Sequence, residues 1–137
     1  MKTAQPYIIF LVEDNKVYLK TLKNYLNEHL KFNVRIHTFS DGETCLKNLD
    51  LNPEIIVLDY FLNEKVKNAK SGIEILKQIK KKSPEIAVVI LSAQDNMKVA
   101  TDTMKYGAFD YISKNENAFI RIQNAINNIY KYGLWLH

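Results

Sequence analysis

Short apolar runs recur along the chain at Tyr7–Val12, Val34–Phe39, Ile55–Leu58, Ile86–Leu91 and Ala108–Ile112. All but the last are rich in Ile and Val without strict alternation, as strands buried on both faces are. The last is placed partly by its position in the series. Asn52-Pro53 and Ser83-Pro84 punctuate the chain just before two of the runs. Between them apolar residues recur at helical spacing: Val17, Leu19, Leu22, Tyr25 and Leu26; Cys45, Leu46 and Leu49; Ile73, Ile75, Leu76 and Ile79; Val99, Thr103 and Met104; then Phe119, Ile122, Ile126, Ile129 and Tyr130. Parallel strands need crossover connections and helices supply them, so the alternation predicts a three-layer α/β sandwich.

Start and stop signals agree with that reading. Asp14 or Asn15 can cap the first helix, Ser40-Asp41 the second, Ser71 the third and Gln94-Asp95-Asn96 the fourth, which Gly107 can end. Leu62 to Lys70 is polar and lysine-rich, and reads as a solvated loop longer than the usual connection of about 2 to 6 residues.

At 137 residues the chain has room for one domain, expected to span 1–137 with its core at about 7–131. A hydrophobic share of 47% and a charged share of 25% exclude a disordered chain. A net charge of +4 is too small to indicate nucleic-acid binding. The single cysteine, Cys45, allows no internal disulfide, and no apolar stretch could span a bilayer. A soluble, cytoplasmic protein is expected, with no membrane or nucleic-acid partner.

In an open parallel sheet the ligand site lies beyond the carboxyl ends of the strands. There the sequence places Glu13 and Asp14 after strand one, Asp59 at the end of strand three, Ser92 at the end of strand four and Lys114 just past strand five. Singly, each has a plainer reading. Asp14 suits a helix cap, Glu13 a solvated loop, Asp59 and Ser92 a turn, and Lys114 the surface. Together they change the picture, because clustered carboxylates repel one another unless a cation is supplied. Oxygen ligands with no His or Cys beside them suit Mg²⁺, which makes the edge a site for phosphate chemistry. A carboxylate can attack phosphorus while the cation, a lysine and a hydroxyl neutralise the transferred oxygens.

With these residues in place, the sequence resembles the receiver domain of two-component response regulators over about residues 7 to 131. The resemblance rests on IIFLVEDN at Ile8–Asn15, SDGETCL at Ser40–Leu46, EIIVLDY at Glu54–Tyr60, SGIEIL at Ser71–Leu76, VVILSA at Val88–Ala93 and GAFDYISK at Gly107–Lys114. It implies a flavodoxin-like doubly wound sheet of strand order 2-1-3-4-5 with five helices. It also implies that Asp59 accepts a phosphoryl group, and that Mg²⁺ is held by Glu13, Asp14, Asp59 and the backbone carbonyl of Phe61, with Asp14 a direct ligand. Ser92 and Lys114 would contact the phosphoryl group, and Tyr111 would turn inward when Ser92 moves. Ala93 would leave access for the phosphate.

The sequence departs from the family in two places. Asn115 stands where a proline usually follows the lysine, so the lysine loop is expected to take its own path. The Asp59-to-Gly72 connection is about five residues longer than usual. Phe61 and Gln94 flank the phosphoryl position, where they would bear on access of water.

The expected function is a phosphorylation-controlled switch and not an enzyme acting on a separate substrate. A histidine kinase or phosphotransfer protein donates to Asp59, and a separate effector reads helix four, strand five and helix five. No output domain is expected, since KYGLWLH at Lys131–His137 is too short to fold; Leu134, Trp135 and Leu136 form a small apolar tail that could pack on the domain or on a partner. The activated form could be a monomer or a dimer. Rival readings are a constitutive binder that is never phosphorylated and a phosphoester hydrolase using Asp59. Against the second, Phe61 occupies the position where such an enzyme needs another acid.

Overall fold

The computed structural model describes residues 5–60, 71–93 and 96–133. In chain order the elements are β1 (Tyr7–Val12), α1 (Lys16–His29), β2 (Val34–Phe39), α2 (Gly42–Lys47), a 3-10 turn (Leu49–Leu51), β3 (Ile55–Asp59), α3 (Gly72–Lys82), β4 (Ala87–Ser92), α4 (Met97–Lys105), β5 (Asp110–Ser113) and α5 (Ala118–Tyr132). The strands form one parallel sheet in the order β2-β1-β3-β4-β5. This is the doubly wound α/β fold expected from the sequence.

Successive strand residues face opposite sides, so each central strand feeds two cores. Ile9, Leu11, Val57 and Val89 pack with Leu22 and Leu26 of α1 and Ile122 and Ile126 of α5. Phe10, Val12, Ile56 and Ile90 pack on the other side with Cys45 of α2 and Ile75, Leu76 and Ile79 of α3. The residues of β3 and β4 are buried throughout, which explains why their sequences do not alternate.

Two strands begin later than the apolar runs suggest, for the same reason. Ile86 donates its N–H to the Ser83 carbonyl in a turn, and the ladder starts with the Ala87 N–H donating to Glu54. Ala108 is buried, but its N–H donates to Thr103 and finishes the α4 end; Phe109 is the first to donate to β4, at the Val88 carbonyl. Burial made both residues look like strand, whereas their hydrogen bonds belong to the preceding turn.

Helix starts follow the expected caps. Asn15, Asp41, Ser71 and Asn96 accept from the N–H groups of Tyr18, Thr44, Glu74 and Val99, and Ser71 with Glu74 closes a reciprocal capping box. The choice between Asp14 and Asn15 is thereby decided: Asn15 caps α1, and the Asp14 carboxylate has no part in the cap. The 62–70 loop, Phe61, Gln94 and the 134–136 tail lie outside the described residues.

Candidate functional site

The carboxyl edge of the sheet gathers side chains that arrive by different routes. β3 ends on Asp59, whose backbone pairs with Leu91 of β4, and the next N–H, of Tyr60, donates to the Leu91 carbonyl at 2.8 Å. β4 ends on Ser92, which pairs with Ser113 of β5. The Lys114 N–H donates to the Ser92 carbonyl at 2.7 Å, so the ladder itself carries the lysine to the serine. On the other flank, the Glu13 N–H donates to Phe39 at 3.0 Å and extends β1 by one residue along β2.

Burial separates these groups from ordinary surface charge. Glu13 is 2% exposed, Asp59 3% and Ser92 0%, whereas Asp14 is exposed at the rim. The Lys114 ammonium forms an ion pair with Glu13 Oε1 and lies 3.5 Å from Asp59 Oδ2. Among the described residues Glu13 Oε1 has no hydrogen-bond partner other than that ammonium, while Oε2 accepts from the Asn15 N–H at 3.0 Å. One acid thus ties β5 to the α1 cap.

Burial alone would lower the pKa of the Lys114 ammonium, but its hydrogen bond to Glu13 and the Asp59 and Glu13 charges outweigh it and raise the value. Asp14 moves the other way from a well-compensated carboxylate. Burial raises its pKa, and the hydrogen bond and charge of Glu13 raise it further against the opposing pull of Lys114. One lysine does not compensate three acids.

That shortfall is the test of whether a cation fits. Glu13, Asp14 and Asp59 each offer a carboxylate oxygen, all within 4.8 Å of one another, and among the described residues no His or Cys joins them. The cluster could hold a metal ion, and an oxygen-only donor set of excess negative charge suits a hard divalent cation. The Phe61 carbonyl, expected to complete that set, lies outside the described residues.

The structure brings together Glu13, Asp14, Asp59, Ser92 and Lys114, each at the place expected from the sequence. Tyr111 lies on β5 opposite Ile90, half-buried against the core shared with α3. Past Lys114 the chain follows a trans path, and Asn115 makes local contacts a proline could not: its N–H donates to Ser113 and its side chain accepts from the Asn117 N–H. Sequence reasoning did not single out Tyr18, whose ring lies under the Lys114 ammonium with 4.8 Å from nitrogen to centroid. The available signal was its position one helical turn after Asp14, on the face that looks toward the site.

Comparisons agree with this geometry. The profile of the response regulator receiver domain matches residues 9–127. The transcriptional regulatory protein CssR of Bacillus subtilis is 31% identical over 128 residues, which cover 91% of this chain and 53% of that protein. The chemotaxis protein CheY of Listeria monocytogenes is 28% identical over 104 residues, covering 76% of this chain and 83% of the relative. The chain spans about half the length of CssR and of several other regulators it matches. Among solved structures, the BeF3-activated receiver domain of DrrB from Thermotoga maritima superposes with a TM-score of 0.78 at 26% identity, covering 93% of this chain and 99% of that one. A signal receiver domain from Vibrio parahaemolyticus shares the fold at a TM-score of 0.80. Among the described residues no helix is long and apolar enough to cross a membrane.

Proposed function

Because the chain belongs to the receiver domain family of two-component response regulators, we propose that it is a phosphorylation-controlled switch with Asp59 as the phosphoacceptor. A receiver is a signalling domain, and the observation that carries this reading is the buried Asp59 carboxylate flanked by Lys114, Glu13 and Asp14. An Asp59 oxygen attacks phosphorus. The bond from phosphorus to the donor breaks, and the electron pair leaves with the imidazole of a histidine kinase or phosphotransfer protein, or with acetate when acetyl phosphate is the donor.

Each neighbour has a part in that step. Glu13, Asp14 and Asp59 would hold Mg²⁺, with the backbone carbonyl of Phe61 as the further ligand that the family resemblance implies, and the bound ion would supply positive charge against the transferred oxygens. Lys114 supplies a second positive charge from the β5 side and Ser92 a hydroxyl donor from β4. The phosphoryl group carries about −1.5 to −2 charges in place of the single carboxylate charge of Asp59, a net gain of about −0.5 to −1 beside Ser92 and Lys114, together with new acceptor oxygens. Drawing Ser92 toward the new oxygens favours the inward position of Tyr111, and α4, β5 and α5 then present a changed face to a separate effector. Their exposed Met97, Met104, Tyr106 and Ile120 support a protein partner and not nucleic acid. Such a switch would act in the cytoplasm.

Intact mass after incubation with acetyl phosphate checks the reading. One phosphoryl group is expected with Mg²⁺ and none with EDTA, and Asp59→Asn, which keeps the volume but removes the nucleophile, is expected to stay at its starting mass. A wild-type chain that gains nothing in Mg²⁺ would be a constitutive binder instead.

A further inference from the structure

We infer that Tyr18 is a positioning residue for the phosphoryl site, its ring face seating the Lys114 ammonium. The inference rests on the reading of Lys114 given above. A lysine is a point charge on a flexible four-carbon stem, so its position must be imposed from outside. Glu13 and Asp59 hold it now. Both are also the groups whose charge a cation or a phosphoryl group would engage, which weakens their hold when the lysine is needed. The Tyr18 ring is a neutral partner that competes for neither carboxylate, and its attraction for an ammonium grows where water is excluded.

The ring is itself fixed on several sides. The Tyr18 N–H donates to the Asn15 cap at 3.0 Å, locking the first turn of α1. Phe119 of α5 packs edge-on against the ring with centroids 5.4 Å apart. Among the described residues the Tyr18 hydroxyl is buried without a hydrogen-bond partner. A tyrosine kept at such a cost is held by its ring and not by its polar tip, since leaving a buried hydroxyl unpaired is unfavourable. The consequence is a link from α1 through Lys114 to the end of β5.

Tyr18→Phe keeps the ring and Tyr18→Leu removes it. With acetyl phosphate and Mg²⁺, Tyr18→Leu is expected to take up phosphoryl about three to ten times more slowly, with Tyr18→Phe within about twofold of the wild type. In a Lys114→Ala background Tyr18→Leu is expected to add no further loss, because its effect runs through that lysine. The Lys114 ε-methylene protons, assigned by their disappearance in Lys114→Ala, should show an upfield ring-current shift in wild type and Tyr18→Phe that is lost in Tyr18→Leu. The inference is overturned if Tyr18→Leu matches wild type, if Tyr18→Phe falls as far as Tyr18→Leu, or if the Tyr18 and Lys114 losses multiply. A wild-type chain that takes up no phosphoryl group sinks the reading of Asp59, and this inference with it. Normal wild-type uptake with an indifferent Tyr18→Leu sinks this inference alone.

Discussion

Burial pushes the Cys45 thiol up to about 12, and the Asp41 charge adds to the shift. The thiolate is the reactive form, so at neutral pH its fraction falls about a thousandfold below that of an ordinary thiol. Cys45 is therefore expected to resist a thiol reagent in the native protein and to react at once in denaturant. Rapid native labelling would show that α2 opens freely. The sequence showed Cys45 as a helix residue and excluded a disulfide, but the depth of its burial came from the contact of α2 with the sheet. Asp14 and Asn15 illustrate the same limit at closer range. Both are good caps by type, and only the backbone path out of β1 put the oxygen of Asn15, not that of Asp14, before the first turn of α1.

At the scale of an element, the start of α3 joins a legible feature to an illegible one. Ser71 and Glu74 form a capping box whose spacing can be read directly from the sequence, and Ser71→Ala is expected to lower stability by about 1 kcal/mol. Gly72 beside it looks like an unremarkable first helical residue. In the fold its backbone passes so close to β3 that a Cβ would lie 2.4 Å from the Tyr60 carbonyl oxygen and 2.7 Å from the Tyr60 Cα. Backbone cannot yield as a side-chain tip can. Gly72→Ala should therefore cost more than the cap, upwards of about 2 kcal/mol, read as a lower urea midpoint at unchanged slope. It should also slow phosphoryl uptake, because Tyr60 adjoins Asp59. The misplaced starts of β4 and β5 have a similar origin, since apolar type reports burial while strand limits are set by where the ladder begins.

Across the whole molecule, the end of the sheet opposite the site carries its own titrating group. Burial raises the Tyr7 phenol to about 12, with the charges of Glu54 and Tyr130 adding to the effect. Its ring packs edge-on against Phe32 and Tyr130, which stack on each other and tie α5 to the β1–β2 end. An acid with a raised folded pKa keeps its proton longer in the fold than in the unfolded chain. The stabilisation is therefore complete below the ordinary tyrosine value of 10.0 and is lost as pH rises toward and through about 12. Denaturation midpoints are expected to drop between about pH 10 and about pH 12 in wild type, and to drop less in Tyr7→Phe. Equal slopes in the two proteins would place the titration elsewhere.

Period and punctuation in the sequence were enough to determine the α/β class, the strands and helices in their order, and the edge of the sheet where the acids, the serine and the lysine had to meet. They suffice because hydrophobic spacing and capping are local, and parallel strands joined by helices leave few topologies open. Only the tertiary structure decided which of two adjacent residues caps α1, that Glu13 is buried and paired with Lys114, that Gly72 lies against the Tyr60 backbone, and that the Tyr18 ring sits beneath the lysine. Those outcomes depend on distances between segments far apart in the chain, and such distances exist only once both faces of the sheet are packed.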